Sequence, residues 1–233
     1  MNLAGMIFLY ALIPMAVAIA GGLIASFYIP KPNILNALQH FISGIVVGAV
    51  SVELLPKILE HRSWGLLLAF LVGMAFMLVL KVLTQSLAQK KTPTGLIVGG
   101  GLDLFIDGLL IGISFLAGTK SGILIIFSLC FCAFFLNLTI SSTLAQNKKV
   151  QWVAIFFVAA MLPIGAFLAA TVLSHLPSSF LIETITFGVA ALLYLGVEEL
   201  LAEGHKKEEA TWITASFFIG FFVILCFKIV DAA

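Results

Sequence analysis

The sequence predicts an all-α membrane protein that crosses the bilayer eight times, and composition and segment length are the main reasons. Of its 233 residues, 62% are hydrophobic and only 10% are charged, and the mean hydropathy is +1.20; soluble domains carry about 25% charged residues. Apolar stretches of about 20 residues, enough to span a bilayer as a helix, follow one another with short connections. We therefore predict one polytopic transmembrane domain over residues 1–233.

Eight stretches have the length and apolarity of a transmembrane helix, and we number these spans in chain order. No basic residue precedes span 1, so we expect a retained helix and not a cleaved signal peptide. The predicted spans are residues 3–28, 33–56, 64–83, 95–117, 121–145, 150–174, 179–202 and 210–230.

The distribution of Lys and Arg predicts the orientation, because cytoplasmic loops are enriched in these residues. With the N-terminus outside, most of the 12 Lys and Arg residues fall on the cytoplasmic side, so both termini are predicted to lie outside. The short loops and the lack of an organelle presequence favour a bacterial cytoplasmic membrane. The net charge of +1 and the absence of a basic stripe argue against a nucleic-acid partner.

Spans 1–3 and 6–8 share two features that predict an inverted repeat. Pro14 lies in the middle of span 1 and Pro163 in the middle of span 6, while Glu53 in span 2 corresponds to Glu199 in span 7. Five spans separate the paired helices, so the two copies would cross the membrane in opposite directions. Transporters with this arrangement hold their substrate near the midplane, and spans 4 and 5 would form the central pair.

Span 4 contains two acidic residues in the segment GGGLDLFIDGLLIG. Asp103 and Asp107 are four residues apart and therefore share one helix face, with Cβ atoms about 5–6 Å apart. A carboxylate at the bilayer centre costs roughly 2.5–3.5 kcal/mol, and two like charges this close need either protons or a cation. The pair therefore predicts a cation site, with proton-linked exchange as a natural form of coupling.

Span 5 supplies a second polar face, on which Asn137 and Ser141 are again four residues apart. If spans 4 and 5 are antiparallel neighbours, these side chains can converge with the two acids. Carboxylate, amide and hydroxyl oxygens suit hard or borderline divalent cations, and Mn²⁺, Fe²⁺ and Zn²⁺ are the candidates. The predicted metal ligands are Asp107, Asp103, Asn137 and Ser141.

Each of these residues also has a structural interpretation, which the sequence leaves open. Asn and Ser in membrane helices often bond to neighbouring helices, and a buried Asp can be protonated and bonded to the backbone. Glu53 and Glu199 fall near the predicted membrane edges, where they would either be solvated or line a transport pathway.

Several segments resemble the ZIP (Zrt/Irt-like) metal transporter family. In span 4, Asp107, Gly108 and Gly112 match the D-G-x-x-x-G part of the family's fourth-helix motif. The segment SGIVVGAVSVELLPKILEH looks like the family's second helix, and FGVAALLYLGVEELLAE is similar to its seventh. The resemblance covers most of the chain.

The metal-site residues depart from the family pattern, so the chain looks like a divergent member. Asp103 and Leu104 stand where the family has His-Asn in its fourth helix. In the fifth helix, Asn137 and Ser141 replace the first ligand and a bridging acid. The family typically carries a two-metal centre, whereas these residues provide for one metal at most.

The resemblance implies a secondary transporter of divalent cations, commonly a homodimer, in which spans 1, 4, 5 and 6 move against spans 2, 3, 7 and 8. It implies neither a resident cofactor nor an enzyme activity. The altered ligands leave open a divergent member that moves a non-metal solute or serves regulation or assembly. An intramembrane protease has less support, because membrane aspartyl proteases need their two acids on facing helices, whereas Asp103 and Asp107 share one.

Overall fold

The computed structural model describes residues 3–27, 32–61, 63–88, 93–173, 180–197 and 211–232. These residues are helical apart from short turns, and none of them forms a strand. Seven of the described helices are long and apolar enough to cross a membrane, and Leu181–Val197 is a shorter apolar helix. The prediction of an all-α, multi-pass membrane protein is therefore confirmed.

The helices follow the predicted spans, and we label them in chain order. Span 2 is built from α2, a π-helical turn and α3, whereas the other spans each correspond to one helix in the described residues. The bounds are α1 Leu3–Phe27, α2 Pro32–Ala49, the π-helical turn Val50–Leu54, α3 Leu55–Leu59, α4 Trp64–Ala88, α5 Pro93–Leu116, α6 Thr119–Thr143, α7 Lys148–Leu173, α8 Leu181–Tyr194 and α9 Thr211–Ala232.

The chain divides into two compact units. Unit 1 comprises Met1–Ile29 and Phe76–Ser178, and unit 2 comprises Pro30–Ala75 and Ser179–Ala233. Unit 1 therefore contains α1, α5, α6, α7 and the second part of α4. Unit 2 contains α2, α3, α8, α9 and the first part of α4. The prediction of one domain over residues 1–233 stays a prediction.

In unit 1 the closest helix pairs are α5 with α7 and α1 with α6. Each of the two helices contributes a glycine to the contact between α5 and α7. A Cβ on Gly108 would overlap the carbonyl oxygen of Leu162, and a Cβ on Gly165 would overlap that of Phe105. The two helices therefore pack backbone to backbone, as small residues in membrane helices allow.

Unit 2 uses the same kind of contact between α2 and α9. Gly44 of α2 and Gly220 of α9 each lie against a main-chain carbonyl oxygen of the other helix. In the same unit, α4 approaches the backbone of α8 at Gly73. Side chains at these glycines would push the helices apart, so these positions fix which helices can be neighbours.

Span 2 is interrupted by the π-helical turn Val50–Leu54, which precedes Pro56 in α3. Residues 195–197 at the end of span 7 are also π-helical. Within unit 2, the hydroxyl of Ser43 donates a hydrogen bond to the carbonyl of Gly196 at 2.6 Å, which ties span 2 to this second π-helical segment. π-Helical turns are rare and frequently occur at functional sites.

Large apolar side chains cover the exposed faces of α4 and α9. Examples are Leu67, Leu68 and Val72 on α4, and Phe218 and Phe222 on α9, each more than half exposed. Contiguous apolar surface of this kind is unfavourable in water, whereas in a bilayer it contacts lipid. Both prolines of the predicted repeat lie inside continuous helices, in α1 and α7.

Candidate functional site

The candidate site begins on α5, a glycine-rich helix with both aspartates in its central turns. Asp107 is buried, with 2% of its surface exposed, and Asp103 is partly buried. Leu104 and Ile111, one turn before and after Asp107, are fully buried. Asp107 therefore lies on the interior face of an apolar helix, and its role as a cation ligand stays a prediction.

The depth of Asp107 follows from its neighbour Gly108, which packs against the backbone of α7. One turn later, a Cβ on Gly112 would overlap the Cβ of Ala169. Gly108 and Gly112 thus allow α5 to lie close against α7, and Asp107, which precedes Gly108, lies inside the helix bundle of unit 1.

Asn137 on α6 is fully buried and bonds to two other helices. Its Nδ2 group donates to the carbonyl oxygen of Ala18 in α1 at 3.0 Å and to that of Ile155 in α7 at 3.1 Å. Its Oδ1 atom is buried and has no hydrogen-bond partner among the described residues. One half of the amide therefore joins three helices, and the other half keeps its capacity to accept.

Ser141, one turn further along α6, is also fully buried and has different partners. Its hydroxyl donates to the carbonyl of Gly22 in α1 at 2.7 Å and accepts from Nε2 of Gln151 in α7 at 3.0 Å. Gln151 also donates to the Ser141 carbonyl at 2.9 Å. Ser141 therefore takes part in helix–helix hydrogen bonding, the structural interpretation that the sequence left open.

Lys148, at the start of α7, extends this hydrogen-bonded group to the end of α1. Its ammonium donates to Oε1 of Gln151 at 3.2 Å and to the carbonyl of Ser26 at 3.4 Å. A cation suits this position because helix C-termini carry partial negative charge. Residues 22–26, 141 and 148–151 thus form a polar clamp that joins α1, α6 and α7.

α5 and α6 form an antiparallel hairpin, since only Ala117 and Gly118 separate them. Gly118 has φ of 124°, a left-handed conformation that glycine adopts at little cost. Further from the turn, a Cβ on Gly100 would overlap the side chain of Ile140. The two helices therefore still contact each other at this distance from the turn.

The hairpin gives the order of the predicted ligands along the bundle. Because α5 and α6 are antiparallel, distance from their common turn increases toward the start of α5 and toward the end of α6. Asp107 lies nearest the turn, followed by Asp103, then Asn137 and Ser141. Asp103 and Asn137 are therefore closer in depth than Asp107 and Ser141 are.

Glu53 belongs to unit 2, and its side chain is 5% exposed. Its carboxylate pairs with the ammonium of Lys57 at 2.9 Å and also with that of Lys228 in α9. Glu53 is therefore buried and ion-paired rather than solvated, and its role in a transport pathway stays a prediction. Glu199, its predicted counterpart, lies outside the described residues.

Sequence reasoning did not anticipate the clamp residues Gln151 and Gly22, or the bond from Ser43 to Gly196. Gln151 carries the clearest signal, because a Gln in the first turn of an apolar span has no aqueous partner once buried. Gly22 could not be singled out from the sequence, because its role depends on the helices that pack around it and not on its own chemistry.

Among the described residues, no group of three or more His, Cys, Asp or Glu side chains could hold a metal ion. Any site on α5 and α6 would therefore depend on amide oxygen, hydroxyl or water in addition to the two carboxylates. Comparison of the chain with protein-family models and with curated proteins gives no match.

Proposed function

We propose that this protein is a ZIP-like secondary transporter that carries a divalent cation on an oxygen-rich site between α5 and α6 of unit 1. The observation that carries the proposal is the burial of Asp107, at 2% exposure, one turn from Asp103 and on a helix that also contacts α6. Two carboxylates on one face of a membrane helix are costly, and a divalent cation neutralises both.

The grouping of the helices supports this proposal. Unit 1 contains spans 1, 4, 5 and 6 together, and unit 2 contains spans 2, 7 and 8, with span 3 divided between them. Apart from span 3, this is the division that the ZIP resemblance implies for the two moving parts. The candidate ligands on α5 and α6 all belong to unit 1, so a cation held there would travel with that unit.

The packing of the helices supports the inverted repeat that we propose for spans 1–3 and 6–8. Span 1 pairs with span 5, and span 6 pairs with span 4, as an exchange of the two copies requires. Span 2 packs on span 8, and span 3 approaches span 7 through glycine. Spans 2 and 7 also both contain π-helical residues, at Val50–Leu54 and 195–197.

Proton linkage follows from the same two acids. When the cation leaves, two carboxylates about 5–6 Å apart at their Cβ atoms repel each other in an apolar surrounding, and protonation relieves that repulsion. A cycle in which protons replace the departing cation therefore avoids an empty site with two negative charges. We propose this exchange as the source of directionality.

One observation favours a second function. The Nδ2 group of Asn137 and the hydroxyl of Ser141 both serve helix–helix hydrogen bonds, and the described residues contain no ready group of three metal-binding side chains. These features suit a divergent member of the family that carries a non-metal solute, or that acts in regulation or assembly. Such a protein would retain the helix–helix hydrogen bonds and would not bind a metal ion.

The deciding experiment is uptake of Mn²⁺, Fe²⁺ and Zn²⁺ into proteoliposomes by the wild type and by Asp107→Asn. Changes that only reorient a metal ligand cost about 10–100-fold, so replacing the central ligand should lower uptake at least about 10-fold. Ser114→Ala is the matched control, because Ser114 is buried on the same helix and bonds only the carbonyl of Leu110 among the hydrogen bonds described.

Wild-type liposomes that take up no more metal than protein-free liposomes would favour the second function. Undiminished uptake by Asp107→Asn would remove α5 from the site even if transport is real. Equal losses in Asp107→Asn and Ser114→Ala would indicate a general defect of α5 and not the loss of a ligand.

A further inference from the structure

Glu53, Lys57 and Lys228 form a charged cluster within unit 2. Each carboxylate oxygen of Glu53 receives a different ammonium group: Oε1 pairs with Lys57 at 2.9 Å, and Oε2 pairs with Lys228. A buried carboxylate is costly unless it is paired, and one lysine is enough to neutralise it. The second lysine therefore gives these three side chains one more positive charge than they have negative charges.

The cluster lies where its helices reach the edge of the bilayer. Lys57 and Lys228 are each two residues from the end of an apolar segment that is long enough to cross a membrane, Asn36–Leu59 and Thr211–Val230. Because both lysines contact the same carboxylate, these two ends lie on the same side of the membrane. Lysine side chains near such ends extend toward the headgroup region.

The lysines of the cluster are accessible, whereas its acid is not. The side chain of Glu53 is 5% exposed, and those of Lys57 and Lys228 are 36% and 38% exposed. An ammonium group carries three N–H donors, so the bond to Glu53 does not use all the donors of Lys228. The surplus positive charge is therefore in the exposed part of the cluster, where an anion can reach it.

Large apolar side chains accompany the two lysines at the helix ends. Leu59 in α3 and Ile229 and Val230 in α9 are each more than half exposed. Basic groups next to exposed apolar side chains favour binding to anionic lipid, because the charges attract the headgroup and the apolar surface contacts the acyl chains. A soluble anion would contact the charges alone.

We propose that Lys57 and Lys228 together bind the phosphate group of an anionic phospholipid at this edge of the membrane. The partner is a lipid whose headgroup carries a net negative charge, with phosphatidylglycerol as the representative. The inference concerns a surface of unit 2, so it goes beyond the proposed transport function and does not depend on it.

The experiment measures lipid binding at the cluster itself, with the full chain in phosphatidylcholine nanodiscs. A fluorophore is attached to Val230→Cys, a highly exposed position, in a background where the three native cysteines are replaced. Lipids brominated in their acyl chains quench a fluorophore that they contact. Titration with brominated phosphatidylglycerol and with brominated phosphatidylcholine therefore gives the ratio of their local association constants.

We expect Lys228→Met to lower this ratio about 5-fold, the effect of one basic side chain near an anionic headgroup. Lys228→Arg keeps the charge and should keep the ratio. The control is Lys120→Met, which removes the same charge from an exposed position at the start of α6 and should leave the ratio at Val230→Cys unchanged.

A second variant decides the matter even if Lys228→Met does not fold. Lys57→Met also removes the surplus charge and should lower the ratio by a similar factor. Each variant leaves one lysine on Glu53, so the buried carboxylate remains neutralised and only the surplus charge is lost.

Inorganic phosphate distinguishes a lipid from a soluble anion with the same chemistry. In phosphatidylcholine nanodiscs, phosphatidylglycerol should raise the Tm of the wild type, whereas inorganic phosphate should not, compared with chloride at equal ionic strength. A rise with inorganic phosphate as large as that with phosphatidylglycerol would overturn the assignment to a lipid.

The remaining outcomes test the role of the lysines. Equal ratios in the wild type, Lys228→Met and Lys57→Met would show that the lysines only neutralise Glu53, and would overturn the inference. An equal loss in Lys120→Met would indicate a general effect of protein charge and would overturn it as well.

Discussion

Individual side chains show where sequence reasoning about this protein succeeds and where it stops. The cost of a carboxylate in hydrocarbon is a property of the residue and its surroundings in sequence, so the interior position of Asp107 could be predicted. The partners of Asn137 and Ser141 could not, because they depend on which helices are neighbours and on their register. Ser141 therefore emerges as a member of the polar clamp, although its spacing from Asn137 equally suits a ligand.

The clamp makes a testable prediction about stability. Gln151→Met keeps the side-chain volume but removes both hydrogen bonds to Ser141, and leaving buried polar groups unpaired costs about 1–3 kcal/mol each. We expect a lower Tm for the purified protein, measured in detergent by intrinsic fluorescence. Gln146→Met, at an exposed turn position, is the control and should leave the Tm unchanged. Equal Tm values for both variants would show that the clamp contributes nothing to stability.

At the scale of the helix, the sequence prediction and the structure agree best on the residues at which each helix begins and ends. The predicted spans 95–117 and 121–145 correspond to Pro93–Leu116 and Thr119–Thr143, because the length of apolar sequence is set by the bilayer and is visible without any tertiary contact. The π-helical turn in span 2 was not predicted, since local composition does not encode a change in hydrogen-bond register. The role of each glycine was equally hidden, because glycine at a helix crossing and glycine on an open face look the same in sequence.

Alanine substitutions can therefore distinguish a glycine at a helix crossing from a glycine on an open face. Gly99→Ala should raise the Tm, because alanine is favoured over glycine in a helix by about 0.5–1 kcal/mol and the new Cβ meets nothing within 4 Å. Gly165→Ala should lower it, because the same Cβ overlaps the backbone of α5. Thermal denaturation of the two variants beside the wild type measures both signs. A rise in both would mean that α5 and α7 are not in backbone contact at Gly165.

At the scale of the whole molecule, the sequence anticipated a helical membrane protein and a division of its spans into two groups. The division in the structure keeps spans 1, 4, 5 and 6 in one unit, yet it cuts through α4, which no hydropathy pattern reveals. The family relationship, the repeat and the homodimer stay predictions.

Orientation in the membrane is the global property most open to direct measurement. If both termini lie outside, the α6–α7 turn is cytoplasmic and the α5–α6 turn is external. In intact cells, a membrane-impermeant thiol reagent should therefore label Thr119→Cys and not Gln146→Cys, in a background where the three native cysteines are replaced. Both positions are exposed, so the opposite pattern would invert the topology and the assignment of cytoplasmic loops.

The π-helical turn Val50–Leu54 has a geometric effect on everything that follows it in span 2. Because its hydrogen bonds span five residues where those of an α-helix span four, the turn takes up one extra residue and leaves the segment after it facing much as it would in an uninterrupted helix. A residue inserted between Leu54 and Leu55 has no such turn to absorb it and would rotate Leu55–Leu59 by about 100° against α2. Ile58, which is 7% exposed, would then leave the interior, and Lys57 would leave the side of the helix from which it reaches Glu53. One inserted residue would thus separate this ion pair without altering either of its members.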